Sequence, residues 1–148
     1  MSQKSIREVA LRLLTGRDYS RNEIVRKLKS KGYPLEEIET LLIEFTQNNL
    51  IDDPRFTENY IHKQRNKGYG PRRIHLQLQA LGLSAELIAE KLEINDNVWL
   101  AEIRKVWQKH FKGKQADNFK DHAKQMRFLL YRGFTTEQIE SVLDKLNR

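Results

Sequence analysis

Three glycines, Gly32, Gly82 and Gly133, sit inside one recurring apolar pattern, and that pattern constrains the chain more than any other feature. Four residues before each stands a leucine: Leu28, Leu78 or Leu129. One residue after stands Tyr33, Leu83 or Phe134; six after, Ile38, Ile88 or Ile139; ten after, Leu42, Leu92 or Leu143. If each glycine is the left-handed residue that ends a helix, the leucine before it and the apolar residue after it are the pair that touch in a Schellman ending. The residue after the glycine also precedes the N-cap of the next helix, and the isoleucine falls at N4, so those two form a hydrophobic staple. One side chain then pins two helices across a tight turn, and the product is a helix-turn-helix. Gly32 and Gly82 lie 50 residues apart, Gly82 and Gly133 51, so the unit occurs three times.

Each copy carries a further helix upstream. Ser2 to Thr15 has Ile6, Ala10, Leu13 and Leu14 at helical spacing. Asp53 and Pro54 read as N-cap and first helical residue of the next, followed by Phe56, Tyr60 and Ile61. Asn95 to Phe111 opens the third copy with Trp99, Ile103, Val106, Trp107 and Phe111, the tryptophans on the apolar face. Ile6, Phe56 and Trp107 keep the same 50- and 51-residue offsets. Ser20 with Glu23 and Thr135 with Gln138 form capping boxes, Gly70-Pro71 and Ser84 open helices, and Pro34 offers no side-chain acceptor. The expected fold is all-α: three tandem three-helix, helix-turn-helix-like repeats, at 1–49, 50–94 and 95–148, in an elongated, curved array. A unit of about 50 residues is marginal alone, so neighbours are expected to stack. The connections between copies do not resemble Gly/Ser linkers, and the polar break at 112–118 is the expected mobile loop.

Composition excludes several classes. With no Cys among 148 residues, disulfides and thiolate zinc sites are out. There is no long apolar run and no leader-like N-terminus, so the expectation is a protein of the cytoplasm without a membrane span. No Walker A or GxGxxG motif occurs. His62, His75, His110 and His122 lack metal-ligand spacing. Asp52-Asp53 reads as a helix start before Pro54 rather than a metal-binding pair. No catalytic residue, metal or cofactor is expected, and the chain is not read as an enzyme.

The informative signal is charge. The net charge is +7 and the mean hydropathy −0.73, a balance that favours polyanionic or acidic partners. Between Lys63 and Arg73 stand Lys63, Arg65, Lys67, Arg72 and Arg73 with no acid. The second helices of the other repeats are basic too, with Arg21 and Lys27 in the first and Lys124 and Arg127 in the third. The third helices are acidic, with Glu36, Glu37, Glu39 and Glu44 in the first repeat. Macrodipole complementarity accounts for Glu36, Glu37, Glu86, Glu137, Lys29, Lys31 and Arg132. It does not account for the 63–73 cluster, which is read with Arg21, Lys27, Lys124 and Arg127 as a binding surface for a polyanionic or acidic partner along one side of the body. Tyr60 and Tyr69 flank the cluster; Tyr69 can stack on a base, whereas packing is the expected role of Tyr60. A stand-alone DNA reader is the alternative. It is disfavoured because a groove-entering helix is expected to carry Arg, Lys, Asn or Gln, and 35–45, 85–93 and 136–146 are acidic.

The run LIDDPRFTENYIHKQRNKGYGPRRIHLQLQALGL, residues 50–83, resembles the central signature of the bacterial RecX regulatory proteins. YSRNEIVRKLKSKGY before it and MRFLLYRGFTTEQIESVL near the end resemble that family's flanking repeats, the third being looser through 112–119. The resemblance implies three tandem three-helix repeats and a modulator, usually an inhibitor, of the RecA recombinase. Such proteins lie in the groove of the RecA filament on single-stranded DNA, limit its growth, promote its disassembly, and restrain ATPase, strand exchange and coprotease functions. It implies a RecA partner, with direct contact to nucleic acid left open, and it assigns no contact residues; a monomer is the expectation for the chain itself.

Overall fold

The computed structural model describes residues 4–148, which form nine α-helices and no strand. They are α1 (Ile6–Gly16), α2 (Arg21–Ser30), α3 (Leu35–Gln47), α4 (Asp53–Asn66), α5 (Pro71–Ala80), α6 (Ala85–Lys91), α7 (Val98–Phe111), α8 (Phe119–Arg132) and α9 (Thr136–Leu146). The extensive helix contacts all fall within the triplets α1–α3, α4–α6 and α7–α9. The fold is all-α, three three-helix units in tandem.

The glycine turns form as their spacing dictates. Gly32, Gly82 and Gly133 have φ of 92°, 83° and 106°, a region open to glycine without a Cβ penalty. The N–H groups of Tyr33, Leu83 and Phe134 donate to the carbonyls of Leu28, Leu78 and Leu129 at 3.2, 3.2 and 3.3 Å, the long bond of the Schellman motif. Leu83 with Ile88, and Phe134 with Ile139, are buried in the core; Tyr33 packs at the edge of its own. The capping boxes at Ser20–Glu23 and Thr135–Gln138 are both closed, Ser84 caps α6, and Pro34 gives α3 no side-chain cap.

Two helix starts differ from the sequence expectation. The N-cap of α4 is Asp52, whose carboxylate accepts from Arg55 N–H at 3.0 Å. Asp53 is already helical, and its Oδ1 accepts the backbone N–H of Arg21 at 2.8 Å, serving the first turn of α2 instead. The third repeat's first helix begins at Val98, not Asn95: Asp96 Oδ1 takes the N–H of Val98 at 2.9 Å and holds 95–97 in a turn, the usual competition of Asx side chains with helix. Ser2, the expected start of the first helix, lies outside the described residues; Ser5 caps α1 by accepting from Glu8 N–H.

Two apolar cores result. One collects Ala10, Ile24, Leu28, Ile38, Leu42, Phe45 and Ile51 from the first unit and its exit. The other is continuous across the second and third units, from Phe56, Ile74, Leu78 and Ile88 to Trp99, Ile103, Leu129 and Phe134. Each fully buried Leu or Ile is worth about 1.5–3 kcal/mol relative to exposure. The tryptophan N–H groups are satisfied, Trp99 by Glu93 O at 2.9 Å and Trp107 by Gln125 Oε1 at 3.1 Å, as buried indoles require.

The units join by one rule used twice. The glycine turn of each later unit seats on the N-terminus of the second helix of the unit before. At the first junction Asn22 Nδ2, on α2, donates to Leu81 O at 3.3 Å beside Gly82. At the second, the N–H groups of Gly70 and Arg72, at the start of α5, donate to Arg132 O and Gly133 O at 2.8 and 2.9 Å. The orphan donors of α5 are thereby matched to the orphan acceptors of α8.

Candidate polyanion-binding site

The cluster from Lys63 to Arg73 straddles the end of α4 and the start of α5, beside the seat of the third unit. A left-handed Gly68 (φ 89°) ends α4, with Tyr69 N–H bonded to Gln64 O at 3.2 Å, and Gly70-Pro71 opens α5 two residues later. Lys63, Lys67 and Arg72 are exposed; Arg65 and Arg73 are half-buried. Arg73 lies 4.1 Å from the Tyr69 ring centroid and 5.7 Å from that of Tyr131. Arg132 lies 5.6 Å from Tyr69 and 5.2 Å from Phe128, and donates from Nη1 to Lys67 O at 3.3 Å. His110 stacks on Phe128 at 3.7 Å. Cations and aromatic rings thus interleave along the junction, and stacking fixes the guanidiniums. Tyr69 has two guanidiniums against its ring and so is not a free stacking platform, whereas Tyr131 on the same junction is 79% exposed.

Two clefts of about 310 Å³ each flank the end of α4, and Lys67 lines both. The one toward the third unit is bounded by Arg65, Lys67, Lys105, Lys109 and Arg132, with Glu102 as its acid. The one toward the first unit brings Lys63 and Lys67 near Arg17, with Asp18 and Glu23 on its far wall. There Glu23 takes Arg17 Nη2 at 2.8 Å and raises that guanidinium's pKa. Tyr60 lines the same cleft; burial pushes its hydroxyl's pKa up, and it bonds to Gln64 and Gln77 while its ring stacks on Phe56. Packing is therefore its role, as the sequence suggests.

The other four sequence-selected cations do not join this group. Arg21 and Lys27 are exposed on α2, with Lys27 in a shallower groove beside Arg26. Lys124 and Arg127 are exposed on α8, and Lys124 borders a small cleft of about 140 Å³ with Lys114 and Asp121. None of the nine selected cations makes an ion pair among the described residues, where the pairs are Arg7–Glu44, Arg17–Glu23, Lys91–Glu58, Lys91–Glu90 and Lys105–Glu102. Sequence reasoning passed over Lys105, Lys109 and Arg132. The signal for the first two was present: they lie four apart on α7, off the Trp99–Ile103–Trp107 stripe.

The arrangement can bind an anion through several fixed cations; its chemistry is recognition. Among the described residues no three His, Asp or Glu gather as a metal site, and no helix is long and apolar enough to cross a membrane.

Family models for the first, second and third three-helix domains of RecX match residues 7–44, 52–92 and 100–143 in that order. The chain is 37% identical over 139 residues to the regulatory protein RecX of Pseudomonas entomophila (strain L48), spanning 94% of this chain and 90% of that one. It is also 37% identical over 137 residues to the regulatory protein RecX of Legionella pneumophila (strain Corby), spanning 93% and 91%. A crystal structure of RecX from Lactobacillus salivarius shares the fold with a TM-score of 0.81 at 21% identity, covering 96% of this chain and 94% of that one. A second crystal structure, of regulatory protein RecX, aligns with a TM-score of 0.79 at 23% identity over 94% of this chain and 70% of that one. With its three domains matched in order and relatives this similar over nearly their whole length, the chain belongs to the RecX family of regulatory proteins.

Proposed function

We propose that this protein binds the RecA filament on single-stranded DNA and modulates it, chiefly by restraining RecA's ATPase, recombinase and coprotease activities, without catalysing a reaction of its own. It acts as a monomer in the cytoplasm, where that filament forms. The observation that carries the reading is the set of unpaired cations Lys63, Lys67 and Arg72, presented beside a unit junction in a chain of this family. Cations free of internal partners lose no ion pair on meeting an acidic protein surface or phosphates, and they steer encounter electrostatically. Tandem units extend such a surface across more than one filament subunit.

Following ATP hydrolysis by RecA on single-stranded DNA tests this. Substoichiometric protein is expected to lower the rate, and Lys63→Glu with Lys67→Glu to raise the half-effect concentration by about tenfold, a binding loss of about 1.4 kcal/mol. An unchanged hydrolysis rate with the native chain sinks the reading. Stand-alone DNA binding is the second reading. The last helices of the units disfavour it: α3 carries four glutamates, and Lys91 of α6 is tied to Glu58 at 2.6 Å, leaving little to read base edges. Tight binding of free duplex at physiological salt without RecA would favour it.

A further inference from the structure

We infer that the cleft between the second and third units is a phosphate-binding site, formed by Arg65 and Lys67 at the end of α4, Lys105 and Lys109 on α7, and Arg132 at the end of α8. The inference deepens the function proposed above and rests on it only for the origin of the phosphate. Five cations line the cleft with one acid, Glu102, which pairs with Lys105 at 3.3 Å, so that four have no ion pair among the described residues. Such concentration of one sign between three packed helices favours a counter-charge from outside the chain.

Three observations identify that counter-charge as phosphate. First, the buried Nε of Arg65, a residue of the cleft wall, has no hydrogen-bond partner among the described residues. A buried donor left unmade is uncommon in a folded protein, and a shift of the Arg65 side chain toward the cleft would let an entering anion satisfy it. Second, the cations line the cleft from three helices, α4, α7 and α8, which suits a tetrahedral group with acceptor oxygens on every side better than a flat carboxylate. Third, the site is preorganised. Arg132 is held against Phe128 and Tyr69 and bonded to Lys67 O, so little freedom remains to be lost when the anion enters. At about 310 Å³ the cleft has room for a phosphodiester with part of its sugar. Exposed Tyr131, near Arg73 on the same junction, offers a ring to an adjoining base.

The shared ligand chemistry is a phosphate group, whose sources are a nucleic-acid backbone or a free nucleotide. Backbone amide NMR of the full chain, titrated with inorganic pyrophosphate, ATP and a short oligothymidylate without RecA, tests the site. Shifts confined to residues 65–68, 105–110 and 132 are expected. Tighter binding of oligothymidylate than of ATP assigns the backbone source; the reverse order assigns the nucleotide, and either supports the site. Lys105→Glu with Lys109→Glu, both exposed, is expected to weaken the preferred probe about tenfold or more, and to flatten its salt dependence. Lys29→Glu with Lys31→Glu makes the same charge change in the first unit and is expected to leave affinity within about twofold of native. Equal loss in both variants, shifts spread over every basic surface, or localised shifts with polyglutamate but not with phosphates would overturn the inference. Because RecA is absent, this failure is separate from that of the filament reading. A Lys105–Lys109 variant that loses phosphate yet still restrains RecA upholds the site and removes it from the filament contact.

Discussion

Gly70 has no room for a side chain. A Cβ placed there would overlap the carbonyl carbon of Gly133 and the nitrogen of Phe134, which are backbone atoms and cannot rotate aside. Gly70→Ala is therefore expected to cost about 1–3 kcal/mol, in the range of overpacking. Amide exchange at Gly70 and Arg72, whose N–H groups cross the junction, should accelerate with it; unchanged exchange would mean the junction is not seated this way. Residue 70 was legible in the sequence as an N-cap, but its close approach was not, because the partner backbone arrives from far downstream. Adjacent arginines separate for the same reason. Arg73 lies with its Cβ against Gly133 and its guanidinium over Tyr69, whereas Arg72 is exposed. Truncating Arg73 removes packing as well as charge. Arg73→Ala should lower the thermal midpoint and Arg72→Ala leave it nearly unchanged; equal midpoints would contradict the stacking. From sequence the two read as equivalent members of one basic run.

At the scale of the element, helix ends explain most of what the sequence revealed and most of what it hid. Local grammar was readable: the leucine four before each glycine, the capping boxes, and the uncapped Pro34 all depend on residues within one turn. Long-range caps were not. Asp53 serves α2 from the start of α4, and α5 is capped by the carbonyls of α8. The 112–118 break illustrates the same limit. Its polar sequence reads as a mobile loop, yet Ala116 N–H is held by Asn147 Oδ1 at 2.9 Å and Lys114 O by Gln125 Nε2 at 3.1 Å, both supplied from elsewhere in the third unit. The neighbouring aspartates offer a test. Asp52→Ala removes the local cap of α4 and should cost about 1 kcal/mol. Asp53→Ala should leave α4 capped but expose the Arg21 amide, giving faster exchange there at a similar cost in stability. If exchange at Arg21 is unaffected, the cross-unit cap is not made in solution.

The molecule as a whole is divided unevenly. Its 50- and 51-residue periods suggest three equivalent units, and periodicity cannot show how the units share their cores. The second and third are fused through one apolar cluster, hydrogen bonds across the seam that include Gly70 N–H to Arg132 O and Gln138 Nε2 to Ile94 O, and the stacked Tyr69–Arg132 contact. The first unit keeps a separate core, joined by Ile51 of the connection, and meets the second through the polar contacts of Arg21 and Asn22 and of Arg55 Nη2 with Asn49 O. Hydrophobic burial is the dominant stabilising term and scales with area, so the seam between the second and third units should hold against denaturant when the seam to the first gives way. We propose, accordingly, that 1–49 opens as one cooperative unit and 50–148 as another, the behaviour of a short repeat array with one weak interface. Native-state hydrogen exchange over a denaturant series should resolve two groups of amides, with α1–α3 opening at lower free energy and α4–α9 merging at the global value. A single merged group would show that the first junction is as strong as the second. The division bears on function: Arg73 and Arg132, held against Tyr69, lie on the seam expected to open last, whereas Arg21 and Lys27 ride on the unit expected to open first. Binding should divide in the same way. If the stable seam is the main contact, mild denaturant that opens only α1–α3 should leave phosphate affinity within about twofold of native, since each tenfold loss would require about 1.4 kcal/mol of lost contact; parallel loss of affinity and first-unit structure would place the contact on α2 instead.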